Sequence, residues 1–178
     1  PSAAQQETLR AYPAMALLLA GGALANDALL ECETGRPDDF HIVGDPTEGA
    51  LVLAAARLGL RKETLEDIFP RVAEVPFESD RKRMSTVHRM PTSEDIPPAL
   101  RSAWDWEQWQ DRQYVIFTKG AMDSLLEVSD RVWNEDHVEP LAQSWIERIE
   151  ASNQKLAASG MRVLGVAVRA LDELPSEV

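Results

Sequence analysis

Val72-Ala73-Glu74-Val75-Pro76-Phe77-Glu78-Ser79-Asp80-Arg81-Lys82-Arg83-Met84-Ser85-Thr86-Val87-His88-Arg89-Met90 is the stretch that decides how this chain folds. Two apolar-rich runs, Val72 to Phe77 and Met84 to Met90, flank a charged segment, Glu78 to Arg83. That pattern predicts two strands joined by a turn. In the second run Met84, Thr86 and His88 alternate with Ser85, Val87 and Arg89, which predicts a strand with one face half exposed.

Toward the N-terminus, Gln5 to Ala25 reads as helix, split or kinked at Pro13. Asn26 to Asp39 reads as loop, with Gly35-Arg36-Pro37-Asp38-Asp39 as its turn signal, and Phe40 to Val43 as a short strand. A sharp helix start follows. Asp45 can cap, Pro46 suits the first helical position, and Glu48 stands three residues after the cap. This helix runs to Gly59, and a shorter one covers Glu63 to Ile68 before Pro70.

Toward the C-terminus, Pro91 to Pro98 is a polar loop, followed by Trp104, Trp106 and Trp109. These tryptophans read either as a binding surface or as anchors of a long loop on the sheet. Gln113 to Thr118 is a strand rich in β-branched and aromatic residues. Ala121 to Val128 reads as helix, and Arg131 to Glu139 as one or two short strands. Leu141 to Ala158 is a helix with Trp145, Ile149 and Leu156 on one face, and Met161 to Leu171 is the last strand. Hairpin-like pairs mixed with helices predict an α+β fold, a largely antiparallel twisted sheet flanked by helices.

The 178 residues suit one domain, and 44% hydrophobic content is globular. A net charge of -12 excludes a nucleic-acid surface, which needs a basic field. An anion bound here must meet locally concentrated cations, and Arg81-Lys82-Arg83 is the densest basic point. The same run also reads as a solvated strand end. The single cysteine, Cys32, excludes an intrachain disulfide and a thiolate metal site. His41, His88 and His137 lack zinc-ligand spacing. No run reaches the ~20 apolar residues of a membrane span, and no signal-peptide pattern is present. Both ends, Pro1 and Leu174-Pro175-Ser176-Glu177-Val178, read as cut from something longer.

Three strings complete the reading: Gly44-Asp45-Pro46-Thr47-Glu48-Gly49-Ala50-Leu51, Pro76-Phe77-Glu78-Ser79-Asp80-Arg81-Lys82-Arg83-Met84-Ser85, and Thr118-Lys119-Gly120-Ala121. In this order, with Gly160-Met161-Arg162-Val163-Leu164 after them, they resemble the nucleotide-binding domain of P-type cation-transporting ATPases. The first string points to the type II branch that includes calcium pumps, and the likeness spans nearly the whole chain. The resemblance implies that residues 1–178 form a single ATP-binding domain of a longer membrane pump, on the cytoplasmic side and without direct membrane contact. Such a domain holds ATP, with Mg2+ carried on the nucleotide, and presents the γ-phosphate to an aspartate in an Asp-Lys-Thr-Gly-Thr motif. That motif is absent here, so no catalytic residue and no turnover are expected of this piece. Its implied partners are the phosphorylation and actuator domains of the parent pump, and its implied role is coupling ATP hydrolysis to ion transport.

The same resemblance assigns roles. Phe77 stacks on adenine, though a phenylalanine on a strand also reads as core. Glu48 faces the adenine edge, and its position in a capping box accounts for it equally; the two roles can coexist. Lys119 lines the deep end of the pocket, Gly120 lets backbone approach the ligand, and Ala121 completes the signature. Met122 replaces the family's usual proline there, and Asp123 keeps the acid. Met84 packs near the base. Lys82 and Arg162 are the phosphate cations, the guanidinium suited to bidentate contact, although Arg162 alone reads as a surface arginine. Ser79 stands where some animal calcium pumps have arginine, which implies weaker phosphate anchoring. Asp45, the helix cap, belongs to the same set. Glycine-rich phosphate loops are missing, in keeping with a pocket that grips the base and leaves the phosphates protruding. A different class of reading also stands: a protein-interaction module that uses the tryptophans and the acidic surface.

Overall fold

The computed structural model describes residues 2–33, 36–92, 94–104, 109 and 111–174. Ser2 caps α1 (Ala3–Ala11) with a complete capping box, and Pro13 opens α2 (Pro13–Leu24), so the proline splits the predicted helix in two. α2 is apolar on every side and correspondingly buried, from Ala16 and Leu17 to Ala23 and Leu24. It forms the centre of the main core, with Phe69, Leu100, Trp109, Val115 and Phe117 around it.

β1 (Leu29–Glu33) and β2 (Arg36–Val43) pair antiparallel, where a loop from Asn26 to Asp39 was expected. The turn-forming residues of Arg36 to Asp39 sit in strand backbone because the hairpin has a core of its own. Leu30 is paired with Ile42, and both pack with Val52 of α3 (Pro46–Arg57). Gly35, the centre of the expected turn, lies outside the described residues. α4 (Lys62–Ile68) then leads into the main sheet.

That sheet has the order β3-β4-β5-β8, antiparallel throughout: β3 (Arg71–Glu78), β4 (Arg83–Arg89), β5 (Tyr114–Gly120) and β8 (Gly165–Leu171). With the helices it makes the expected α+β fold. β4 departs from expectation. Met84 through His88 are all buried, so neither face is half exposed. An interior strand tolerates its polar residues because each is hydrogen-bonded. Ser85 meets Thr118 at 2.8 Å. His88 donates from Nδ1 to Phe69 O and accepts the Thr86 hydroxyl at Nε2, each at 2.8 Å.

α5 (Arg101–Trp104) lies in the β4–β5 connection, and Trp109 anchors that connection in the core. Trp106 and the Trp104 side chain lie outside the described residues. After β5 come α6 (Met122–Leu126), the hairpin β6 (Arg131–Asn134) with β7 (His137–Pro140), and α7 (Gln143–Ala158). No residue of α7 is fully buried. Trp145 and Ile149 are half-buried, Leu156 is exposed, and the Arg148 guanidinium stacks 4.8 Å from the Trp145 ring. The last strand starts at Gly165, not Met161; residues 161–164 run without strand pairing.

Two predictions follow from the core. A Cβ on Gly49 would stand 2.1 Å from Ile42 Cγ2, so α3 reaches the hairpin only because this residue is glycine. Gly49→Ala should lower stability by ~1–3 kcal/mol in urea unfolding, and Ile42→Ala should cost less in that background than in the wild type. The second concerns acid. Burial pushes the His88 imidazole down to about 4, its bond to Phe69 O opposing and Arg71 adding to the shift. Above pH ~6.5 the ring is neutral whether folded or unfolded; below it, only the unfolded chain takes the proton. Stability should therefore fall as pH drops from about 6.5 to about 4, by roughly 3 kcal/mol from this group. His88→Gln should flatten that part of the stability curve, measured by denaturant midpoints across the range.

Candidate nucleotide site

The candidate residues gather at one end of the main sheet. Glu78 pairs with Arg83, Met84 with Lys119, and Lys119 with Val166. The end of β3, the start of β4, the end of β5 and the start of β8 therefore meet there. Met84 and Lys119 lie directly opposite, so their side chains leave the same face. Both are buried.

α3 delivers Glu48 to this end. Asp45 caps the helix, accepting from Thr47 N at 2.8 Å and Glu48 N at 3.1 Å, with Pro46 at the first position. The Glu48 N–H bond is the main reason the Asp45 carboxyl lies below its ordinary range, with Thr47 and the nearby Arg162 adding to it. A full capping box would turn the Glu48 carboxylate back onto Asp45 N. Glu48 instead accepts from Lys119 Nζ at 2.7 Å and from Asp27 N at 3.2 Å. The cap is made by Asp45 alone, and Glu48 is released to the site. The pair is largely withdrawn from water, the Lys119 side chain 6% exposed and that of Glu48 22%.

Three residues not singled out from the sequence hold this arrangement. Asn26, fully buried, donates from Nδ2 to Gly22 O at 3.1 Å and Glu48 O at 3.0 Å, and its Oδ1 accepts from Ala28 N at 2.9 Å. Lys62 Nζ donates to Asn26 O and Ala28 O at 2.6 and 3.0 Å. Arg71 Nη2 donates to Leu24 O and Asn26 O at 3.0 and 2.8 Å. Burial pulls the Lys62 ammonium below its ordinary range, and the Asn26 and Ala28 carbonyls, in the segment between α2 and β1, compensate for its lost hydration. The one local sign of this knot is a polar Asn26-Asp27 pair directly after an all-apolar helix.

Phe77 is 60% exposed at the end of β3, which removes the reading of this residue as core. Ser79 is exposed in the turn that follows. The turn itself is clamped onto α6: Lys82 O accepts from Ala121 N at 3.0 Å, Arg83 Nη1 donates to Ser124 Oγ at 2.7 Å, and Ser124 Oγ donates to Arg81 O at 2.5 Å. A Cβ on Gly120 would lie 2.5 Å from Lys82 O. The close approach that already requires this glycine is to Lys82 and Arg83 at the start of the neighbouring strand.

Each candidate cation has a protein partner. Lys119 has Glu48, Lys82 has Asp123 Oδ2 at 2.8 Å, and Arg162 Nη1 donates to Thr47 Oγ1 at 2.9 Å. That last bond brings the 160–164 segment to the N-terminus of α3. Contacts thus unite Asp45, Glu48, Met84, Lys119 and Arg162, with Lys82 on the adjoining turn and Gly120 and Ala121 directly after Lys119. Phe77 and Ser79 join them through the β3–β4 pairing.

The arrangement offers an exposed aromatic face, a carboxylate acceptor beside a buried ammonium, and two outlying cations. Among the described residues no group of three or more His, Cys, Asp or Glu could hold a metal, and no helix is long and apolar enough to cross a membrane. A separate apolar hollow of about 130 Å³, lined by Gln6, Leu60, Leu65 and Pro97 among others, shares no residue with this site.

The whole chain also has recognisable relatives. A family model described as "P-type ATPase, cytoplasmic domain N" matches residues 14–177. "Probable cation-transporting ATPase F" of Mycobacterium tuberculosis (strain ATCC 25618 / H37Rv) is 31% identical over 163 residues, covering 91% of this chain and 15% of that protein. "Calcium-transporting ATPase" of Bacillus subtilis (strain 168) is 32% identical over 161 residues, 89% of this chain and 16% of that protein. "Calcium-transporting ATPase type 2C member 1" of Homo sapiens is 27% identical over 157 residues, 87% and 14% respectively. The chain thus spans about 15% of the length of such relatives. With the α+β fold already described, these matches make the chain a member of the P-type ATPase cytoplasmic domain N family.

Proposed function

We propose that this chain binds ATP at the end of its main sheet and presents the γ-phosphate to a phosphorylation domain elsewhere in a cation-transporting pump. The observation that carries the reading is the exposed Phe77 ring at the same end of the sheet as the buried Glu48–Lys119 pair. An aromatic face exposed to solvent can stack on a base. A carboxylate fixed at the same end of the sheet can accept from an exocyclic amino group, which adenine carries where guanine has a carbonyl. Arg162 and Lys82 lie outward of the base and meet the phosphates, which protrude. Mg2+ enters on the triphosphate.

Chemistry in such a pump is in-line phosphoryl transfer governed by positioning. This chain's part is to hold the base so that the γ-phosphate reaches an acceptor aspartate on another domain; that domain and the actuator domain are its partners. Residues 1–178 act as one nucleotide-holding domain on the cytoplasmic face, with transport carried out by the remainder of the pump. The relatives named for cation and calcium transport support this placement. The competing reading, a protein-interaction surface built on tryptophans, loses part of its basis because Trp109 is committed to the core.

ATP should bind weakly, with Kd roughly 0.1–10 mM. Phe77→Ala should weaken it by ~5- to 150-fold, the worth of one base stack, while leaving the unfolding midpoint nearly unchanged because the ring is exposed. Amide chemical-shift titration measures the first and urea denaturation the second; an unaltered affinity removes Phe77 from the site. Glu48→Gln should lower the preference for ATP over GTP, since an amide can donate to guanine as well as accept from adenine. Equal discrimination by mutant and wild type would show that Glu48 does not read the base.

A further inference from the structure

The turn between β3 and β4 carries an ammonium that is already engaged. Lys82 adopts a left-handed backbone, φ 52°, and its N–H donates to Glu78 O at 2.7 Å. Its carbonyl, the Arg81 carbonyl and the Arg83 guanidinium are each bonded to the start of α6, as described above. These contacts fix where the Lys82 side chain begins, and it ends on Asp123, Nζ to Oδ2 2.8 Å. The hydrogen bond that Lys82 donates to Asp123 is the main cause of its raised ammonium pKa, and Glu127 adds negative potential at the same point. Lys82 and Asp123 are 56% and 63% exposed, unlike the Glu48–Lys119 pair. An incoming anion can reach this pair and exchange one oxyanion partner for another.

We propose that Asp123 is an affinity-determining residue of the site, competing with the nucleotide's phosphates for the Lys82 ammonium. The inference rests on the ATP-binding reading given above. A triphosphate offers several charged oxygens to a lysine that provides three donors. On arrival it displaces Asp123, whose carboxylate then stands uncompensated beside a second anion. The effect depends on the length of the anionic tail and is absent for a bare nucleoside. Because an ion pair this exposed is weak in water, removing the competitor changes affinity by a small factor.

The test is a titration of the 178-residue chain at low ionic strength with ATP and with adenosine, followed by amide shifts. Four proteins are compared: wild type, Asp123→Asn, Lys82→Met and the double variant. Asp123→Asn should tighten ATP by about two- to five-fold and leave adenosine unchanged. The gain should vanish in the Lys82→Met background and shrink as salt is raised. ATP affinity unchanged or weakened by Asp123→Asn overturns the proposal. So does a gain that survives Lys82→Met, which indicates general repulsion, or an equal gain for adenosine, which indicates a reshaped base pocket. Failure of the wild type to bind either ligand is a separate result: it defeats the ATP-binding reading itself, and this proposal with it.

Discussion

The ion pair between Lys119 and Glu48 is the constraint on which this end of the molecule depends. An ammonium with almost no access to water needs fixed oxygen partners, and for Lys119 that partner is the Glu48 carboxylate. β5 carries the ammonium and α3 the carboxylate, so the helix cannot leave the sheet without stranding a charge. The constraint propagates in both directions. Asp45 has to make the helix cap unaided, because Glu48 is used elsewhere. Asn26 has to hold the Glu48 backbone, and Lys62 and Arg71 in turn occupy the carbonyls around Asn26. A chain of polar contacts thus runs from the C-terminus of α2 to the site, each member satisfied by the next.

The candidate site is electrostatically satisfied by its own residues, and that shapes what it can bind. Its three candidate cations are each engaged, but differently. Lys119 is buried against a carboxylate, Arg162 rests on a neutral hydroxyl, and Lys82 shares an exposed pair. A ligand that entered would leave the first intact, since breaking it exposes no gain in hydration for a residue so enclosed. The other two can be exchanged, the hydroxyl contact most readily because it neutralises no charge. The outward part of the site is therefore the adaptable part, and the inner part is rigid. That division suits a ligand with a flat, directional end and a flexible anionic one.

Much of this was legible from the residues, for local reasons. Pro13 divides α1 from α2, the Asp45-Pro46 start of α3 is a capping signal, and the apolar runs of β3, β4 and β5 read directly as strands. Of the β1–β2 hairpin only Phe40 to Val43 is legible as strand, because Pro37, Asp38 and Asp39 are turn-forming types and only the pairing of Leu30 with Ile42 under α3 overrides them. The burial of both faces of β4 escaped notice because serine, threonine and histidine look solvated until their partners are known. Asn26, Lys62 and Arg71 were missed for the same reason. Their long-range partners lie 22 to 47 residues away, and no spacing rule records them.

The motif strings also divide more finely than their resemblance suggests. In the first, Asp45 caps, Pro46 starts the helix, and Gly49 admits Ile42; only Glu48 turns toward the site. In the third, Gly120 admits β4, leaving Lys119 as the residue aimed inward. Most of each string is thus concerned with bringing a helix or strand close enough for one side chain to arrive. Phe77 differs, since no packing demand is met by a ring left in solvent. A lone exposed phenylalanine would be ordinary on any protein surface. Its position is what sets it apart, at the same end of the main sheet as the fixed carboxylate and ammonium. Structural economy explains the glycines, the cap and the clamp on α6; it does not account for the exposed aromatic ring.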